Sequence, residues 1–135
     1  VDLAGGTKGG VIFPEFSFAT DGMFSIMKIL ELIARSHKKL SDIENKTPRL
    51  YMAKNNVFCT LDQKGKIMRK LVEDSEGRQR QMIDGIKIFF DEYTWVLCIP
   101  DSEREIFHVN AEAKTRKRAE QLVREYSQKI NSREF

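Results

Sequence analysis

Residues 84–113 read DGIKIFFDEYTWVLCIPDSEREIFHVNAEA, in which runs of apolar, mostly β-branched or aromatic side chains alternate with polar turns. Such runs predict β-strands, here at Ile86–Asp91, Thr94–Ile99 and Ile106–Ala111. Their aromatic side chains Phe89, Trp95 and Phe107 are predicted to lie in the core. The first two runs are separated by Glu92-Tyr93, and Asp84-Gly85 forms a turn before them. Connections this short favour antiparallel pairing, so we predict an antiparallel sheet.

The segments on either side of this sheet complete a domain. Extended segments are predicted at Arg49–Cys59 and Arg80–Ile83, and Thr60 with Gln63 forms a T-x-x-Q capping box for a helix that ends near Asp74. A last helix is predicted over residues 114–130, where apolar residues recur at helical spacing. With the extended segment Arg49–Cys59 before the first helix and the three strands of residues 84–113 after it, the order β-α-β-β-β-α predicts an α+β fold with both helices on one face of the sheet.

The first third of the chain has a different character. A glycine-rich loop at Ala4–Gly10 leads into a short strand, Val11–Phe13, and Asp21 is a plausible N-cap for a helix over Gly22–Ser36. That helix is apolar nearly all round, so it needs cover on two sides, and we expect the isolated chain to self-associate through it. Residues 37–48 are polar, end in a proline and are predicted to be a linker between two parts of the chain.

Composition narrows the class of protein. The 135 residues are 41% hydrophobic and 32% charged, which is ordinary for a globular protein, and a net charge of +3 does not require a nucleic-acid partner. The two cysteines lack a CxxC partner, so we expect a reducing, cytoplasmic setting. The apolar stretch Met23–Ala34 contains Lys28 and Glu31 and is too short to span a membrane, and we expect no signal peptide.

The stretch at residues 84–113 also resembles a known family. The α-D-phosphohexomutases (phosphomannomutases and phosphoglucomutases) show D-G-[VI]-K-[IV] and then W-V-L-x-R-P-S-G-T-E-P-x-x-R-V-x-x-E-A in their last domain, and Asp84–Ile88 and Trp95–Ala113 align with these patterns without a gap. Upstream, Gly5–Phe13 resembles the family's sugar-binding loop G-E-x-S-G-x-x-F-F. Ala19–Gly22 resembles the R-D-G that opens the last helix of its third domain.

The resemblance implies an architecture in two parts. Residues 49–135 would form the family's fourth, C-terminal domain, a small α+β unit like the TATA-box-binding protein, and residues 1–45 would be the strand–helix tail of the α/β third domain. The family's catalysis uses a phosphoserine and an aspartate-bound Mg²⁺ ion in earlier domains, and nothing here matches T-A-S-H-N-P or D-x-D-x-D-R. We therefore expect no catalytic residue, metal ligand or cofactor in this chain, no activity by the chain alone, and upstream domains as its partners.

The resemblance also implies a phosphate-binding loop. In the family, R-P-S-G-T-E-P holds the substrate's non-transferred phosphate, because arginine, hydroxyl groups and a glycine-bent backbone all donate to an anion. This chain keeps the proline and has Ile99 for the arginine, and the equivalent binding residues are Pro100, Asp101, Ser102, Glu103 and Arg104. With Glu105, three carboxylates stand in the loop, so we expect a hexose phosphate to bind weakly or not at all.

The sugar-binding loop is altered as well. Gly6 and Lys8 replace the family's glutamate and serine, and Gly6 has no side chain with which to contact a sugar hydroxyl. Lys8 and Arg104 together could rebuild a different phosphate site; the alternative is a solvated lysine in a loop.

Three functions are open at this point. The first is the substrate-phosphate-binding domain of an isomerase of carbohydrate metabolism that transfers phosphate within a hexose phosphate. The second is a non-catalytic mutase-like domain for assembly or regulation, either by itself or fused to a sugar-nucleotide transferase. The third is a nucleic-acid module that uses the basic run Lys114–Arg118, which the absence of interleaved aromatic residues disfavours. Intact serine and metal loops upstream would favour the enzyme.

Overall fold

The computed structural model describes residues 2–6 and 9–132 and separates the chain into two units, Val1–Thr47 and Pro48–Phe135. In the first unit, β1 (Ala4–Gly5) pairs antiparallel with β2 (Val11–Ile12), and helices α1 (Gly22–Ser36) and α2 (Leu40–Lys46) follow. Asp21 is the N-cap of α1, as predicted, and its Oδ1 accepts a hydrogen bond of 2.8 Å from the backbone N–H of Phe24.

The segment predicted to be a linker, residues 37–48, contains the short helix α2. His37 ends α1 in the left-handed region at φ 53°, and the Asp42 carboxylate then accepts from the backbone N–H of Lys39 to cap a new helix. Glu44 and Lys46 have good helix propensity, and the helix ends at Lys46, since Pro48 disfavours helical backbone in the residue before it. A polar composition is therefore compatible with a short exposed helix within the linker.

Five strands form one antiparallel sheet in the second unit, in the order β3-β7-β6-β5-β4. The strands are β3 (Tyr51–Phe58), β4 (Arg80–Gln81), β5 (Ile86–Asp91), β6 (Thr94–Pro100) and β7 (Ile106–Ala113). The strand predicted at Arg80–Ile83 ends early: Met82 and Ile83 are exposed where the chain bends into the turn at Asp84, which has φ 55°.

Both helices of this unit cover the same face of the sheet, as predicted. Alternate residues of the central strands are buried, and α3 (Leu61–Asp74) and α4 (Arg116–Asn131) pack their apolar stripes on them. The core includes Ile86, Ile88, Val96, Cys98, Phe107 and Val109 from the strands and Ile67, Leu71, Leu122, Tyr126 and Ile130 from the helices. Each such aliphatic or aromatic side chain contributes about 1.5–3 kcal/mol when buried, so this cluster is the main source of stability.

The opposite face of the sheet carries residues that were expected in the core. Trp95 and Phe89 are only partly buried, because the period of two that turns Val96 and Ile88 inward turns their neighbours outward. On this face the Trp95 indole N–H donates to Glu112 Oε1 at 3.0 Å, and the Lys87 ammonium lies 4.0 Å from the Trp95 ring centroid. The prediction for Phe107, by contrast, is confirmed.

Two further features concern the helices. Thr60 is the N-cap of α3, but its hydroxyl makes no capping bond. The buried Thr60 Oγ1 has no hydrogen-bond partner among the described residues, so the predicted capping box is wrong in this detail. In α1 no residue is buried, and the large apolar side chains that are exposed include Met23, Ile26, Met27, Leu30 and Leu32. None of the helices in the described part of the chain combines the length and the hydrophobicity that a membrane span requires.

Candidate functional site

The loop between β6 and β7, residues 101–105, folds around the carboxylate of its own first residue. Asp101 Oδ1 accepts hydrogen bonds from the backbone N–H of Glu103 at 3.0 Å and of Arg104 at 2.8 Å. An aspartate at the start of a turn forms such bonds because its short side chain reaches the N–H groups two and three residues further on. Two backbone donors therefore converge on one anionic oxygen.

The other carboxylate oxygen of Asp101 is also occupied. Asp101 Oδ2 lies 2.9 Å from His108 Nε2, on β7, and 3.2 Å from Arg104 Nη2. The second ring nitrogen of His108, Nδ1, lies 2.9 Å from Oδ1 of Asn56, the residue of β3 that is directly opposite His108 in the sheet. The Arg104 N–H, then the His108 ring and the Glu103 N–H, hold the pKa of the Asp101 carboxyl well below its usual range.

Below the loop lies a lysine that the sequence did not single out. Lys64 of α3 is 8% exposed, and its Nζ donates to the carbonyl oxygens of Asp101 and Arg104, both at 2.5 Å. The loop ends are tied to the strands as well: the Asp101 N–H donates to the Ile106 carbonyl at 3.1 Å, and the Cys59 N–H donates to the Glu105 carbonyl at 2.9 Å. The loop is thus held from the core side at several points.

The turn before β5 completes the wall of the site. Gly85 packs so closely on β6 that a Cβ there would overlap the Cys98 carbonyl oxygen and lie 2.9 Å from the Ile99 Cα. This approach brings Asp84 to the rim of a shallow depression beside the loop. All five predicted binding residues line that depression, together with three others: Pro100, Asp101, Ser102, Glu103 and Arg104, joined by Asp84, Ile99 and His108.

The sugar-loop residues belong to the first unit. Gly6 lies in the turn that joins β1 to β2, where its N–H donates to the Gly10 carbonyl at 3.3 Å and its carbonyl accepts from the Gly9 N–H at 3.0 Å. Lys8 lies outside the described residues. A shared anion site of Lys8 and Arg104 therefore stays a hypothesis.

Other candidate groups have local roles in the structure. Within residues 2–6 and 9–132, no cluster of three or more His, Cys, Asp or Glu side chains could hold a metal ion. Burial raises the pKa of the Cys98 thiol to about 12 and also raises that of Cys59, so both thiols stay neutral. In the basic run, the Lys114 ammonium and the Arg116 guanidinium lie over aromatic rings of the same chain, Tyr93 and Tyr51.

Comparison with known proteins identifies relatives of the whole chain. The family model for phosphoglucomutase/phosphomannomutase, alpha/beta/alpha domain III, matches residues 1–51. The phosphoglucomutase/phosphomannomutase of Thermococcus kodakarensis is 34% identical over 123 residues, which cover 90% of this chain and 26% of that protein. A probable phosphoglucosamine mutase of Methanosarcina barkeri is 31% identical over 111 residues, which cover 82% of this chain and 25% of that protein.

A solved structure supports the same relationship at the level of the fold. A phosphoglucomutase/phosphomannomutase family protein from Burkholderia thailandensis superimposes with a TM-score of 0.65 at 20% identity, over 98% of this chain and 29% of that one. The chain spans about a quarter of the length of the curated relatives it matches. Because the matched regions extend over both units, the chain belongs to the α-D-phosphohexomutase family, the phosphoglucomutases and phosphomannomutases.

Proposed function

We propose that residues 49–135 are the C-terminal, TATA-box-binding-protein-like domain of a phosphohexomutase and that residues 1–45 are the tail of its third domain. The domain III match over residues 1–51 supports the second part of the proposal. The first part draws on an antiparallel sheet with two helices on one face, which follows that match in the chain.

The loop at residues 101–105 is the proposed substrate-phosphate site of this domain. The observation that carries this proposal is the convergence of the Glu103 and Arg104 N–H groups on one oxygen of Asp101. Convergent backbone N–H groups in a turn form a concave donor surface that suits an anion. In this chain a carboxylate of the loop itself occupies the position that a phosphate oxygen would take.

This self-occupied loop gives the proposal a direct consequence for affinity. A hexose phosphate would have to displace Asp101 from four partners, the two N–H groups, His108 and Arg104, before it could use the same donors. Like-charge repulsion between the displaced carboxylate and the incoming phosphate adds to that cost. We therefore propose weak binding of a hexose phosphate by this chain, with Asp101 as the residue that sets the affinity.

The reaction itself is proposed for the longer protein. A phosphohexomutase moves phosphate within a hexose phosphate, and we propose that the phosphoserine, the Mg²⁺ ion and the rest of the substrate site belong to the upstream domains. The part that we propose for this chain is to bind and orient the substrate phosphate through the loop at residues 101–105.

The test is a titration of the chain and of Asp101→Ser with glucose 1-phosphate, mannose 1-phosphate and inorganic phosphate. Calorimetry gives the affinity, and NMR shows whether the Glu103 and Arg104 amide signals shift. We expect Asp101→Ser to bind at least about tenfold more tightly than the unchanged chain, because the competing carboxylate is gone. Glu120→Ser is the control, since it removes one exposed carboxylate on α4 and should leave the affinity unchanged.

Two results would contradict the proposal. If Asp101→Ser binds neither sugar phosphate nor inorganic phosphate, the loop is not a phosphate site. If it binds them but the amide signals of Glu103 and Arg104 stay in place, the anion lies elsewhere. A mutase assay of the full-length protein with the same two sugar phosphates tests the reaction that we assign to the longer protein.

A further inference from the structure

A lysine occupies a core position of α3. The buried residues of this helix are Lys64, Ile67 and Leu71, which lie on one face at helical spacing. A buried ammonium group is costly unless hydrogen bonds replace its hydration. Among the described residues Lys64 forms no ion pair with a carboxylate, so the two loop carbonyls at 2.5 Å provide that replacement.

The positions of these two carbonyls allow Lys64 to fix both ends of the loop. They belong to Asp101 and Arg104, near the two ends of the loop, and lie 37 and 40 residues from Lys64 in the chain. One ammonium therefore ties both ends of the loop to the same atom on a rigid helix. The N–H groups of Glu103 and Arg104 meanwhile point to the Asp101 carboxylate and not to the lysine.

Other contacts of the loop do not replace this tie. The bond from the Cys59 N–H to the Glu105 carbonyl holds the last loop residue, and the bonds between Asp101, Arg104 and Ile106 close the loop base. In the described residues, Lys64 is the side chain that joins the loop to a helix of the core. An ammonium donates to several acceptors in a compact tetrahedral arrangement, which the wide planar guanidinium of arginine does not reproduce.

We propose that Lys64 is a positioning residue for the anion site: it holds the loop in the conformation that keeps the N–H groups of Glu103 and Arg104 convergent. That Lys64 fixes the conformation of the loop follows from its hydrogen bonds alone, whereas its importance for phosphate binding rests on the function proposed above. Lys64 acts through the loop carbonyls and does not contact the anion.

The first experiment measures the loop itself, without a ligand. Hydrogen exchange of backbone amides is followed by NMR in the full 135-residue chain, in Lys64→Met and in Lys66→Met, an exposed lysine on the same helix. We expect Lys64→Met to speed exchange at Glu103 and Arg104 by at least about tenfold more than at the core amides of Val96 and Val109. Lys66→Met should match the unchanged chain.

This comparison separates positioning from a general contribution to stability. Loss of global stability raises the exchange rate at loop and core amides together. Loss of the two hydrogen bonds from Lys64 to the loop carbonyls, which we call the clamp, raises the exchange rate in the loop. Equal increases at all four amides, or no increase at Glu103 and Arg104, would overturn the inference. If Lys64→Met does not fold, the side-chain N–H signal of Lys64 in the unchanged chain decides: slow exchange supports the clamp, and exchange as fast as that of Lys66 refutes it.

A second experiment links the clamp to binding. Inorganic phosphate is titrated into Asp101→Ser and into Asp101→Ser with Lys64→Met, and we expect the double variant to lose at least about tenfold in affinity. If Asp101→Ser binds no phosphate while Lys64→Met still loosens the loop selectively, the proposed function fails and the clamp stands. If Asp101→Ser binds phosphate equally well with and without Lys64, the positioning role is refuted and the phosphate site stands.

Discussion

Two glycines should respond to the same substitution in opposite directions, because their surroundings differ. Gly85→Ala adds a methyl group where β5 approaches β6, and Gly65→Ala adds one in the middle of α3. At Gly85 the new Cβ would overlap the Cys98 carbonyl oxygen and lie 2.9 Å from the Ile99 Cα. At Gly65, apart from the adjoining backbone of α3 itself, no heavy atom of the described residues lies within 4 Å of the added carbon.

The magnitudes follow from these contacts. The neighbours of Gly85 are backbone atoms of a central strand, which cannot rotate away as a side chain would, so we expect a loss of about 1–3 kcal/mol, typical of overpacking. Alanine at position 65 lowers the conformational entropy of the unfolded chain and suits a helix, so we expect a gain of about 0.5–1 kcal/mol. The free energies of unfolding of the two variants should therefore differ by about 1.5–4 kcal/mol.

Trp95 provides the assay. It is the one tryptophan of the chain and lies on β6, so its fluorescence reports on the second unit during urea or thermal unfolding. For a unit of this size, each kcal/mol corresponds to roughly 4–8 °C in Tm. Gly65→Ala is the control for the added methyl group itself.

The outcome that refutes the reasoning is specific. A Gly85→Ala variant as stable as the unchanged chain would show that the close approach of the turn to β6 does not exist in solution. A Gly65→Ala variant with a lower Tm would show that position 65 is more crowded than the structure indicates. The added methyl group would displace Ile99, which leads through Pro100 into the loop at residues 101–105. Gly85→Ala should therefore also shift the amide signals of Glu103 and Arg104 in NMR spectra.

Three further predictions concern ionisation and association. The pKa of Asp101 is depressed in the folded chain, so the stability that its hydrogen bonds contribute is fully present above the unfolded pKa of about 3.9 and is lost as pH falls through the lower folded value. The carboxyl ¹³C signal of Asp101 should therefore stay constant from about pH 8 to pH 4. A titration midpoint near pH 4 would contradict this prediction. Cys59 and Cys98 should resist a thiol reagent at about pH 8 until the chain unfolds, whereas rapid labelling of the native chain would show that they are accessible. Sedimentation should show association through the exposed face of α1, weakened by Leu30→Glu, and a monomer at high concentration would refute it.

Local sequence patterns predicted most of the fold in the second unit. The helix predicted over residues 114–130 is observed at Arg116–Asn131, and the strands at Ile86–Asp91 and Thr94–Ile99 agree within a residue. Alternation with a period of two and helical spacing are local properties, so they can be recognised without a partner. The motifs from Asp84 to Ala113 were also sufficient to recognise the family.

Local patterns were weaker wherever a residue's environment depended on a distant segment. Trp95 and Phe89 were expected in the core, but a strand that is apolar on both faces does not reveal which face the helices cover. By helical spacing Lys64 belongs to the same stripe as Leu61, Ile67, Met68, Leu71 and Val72, and a lysine in an apolar stripe is a sequence signal for a buried ammonium group. Its partners lie 37 and 40 residues away, which no helical periodicity predicts.

The candidate site separates the properties that residue types reveal from those that depend on how the chain folds. The resemblance to the family pointed to the loop at 101–105, with Asp101 and Glu103 at hydroxyl positions and Ile99 at the position of the arginine, because those are properties of residue types at aligned positions. Only the folded chain showed that the Asp101 carboxylate itself accepts hydrogen bonds from the loop N–H groups, with His108 from β7 and Lys64 from α3 around the loop. Hydrogen bonds act over about 3 Å, so the chemistry of this loop depends on how β6, β7 and α3 pack together.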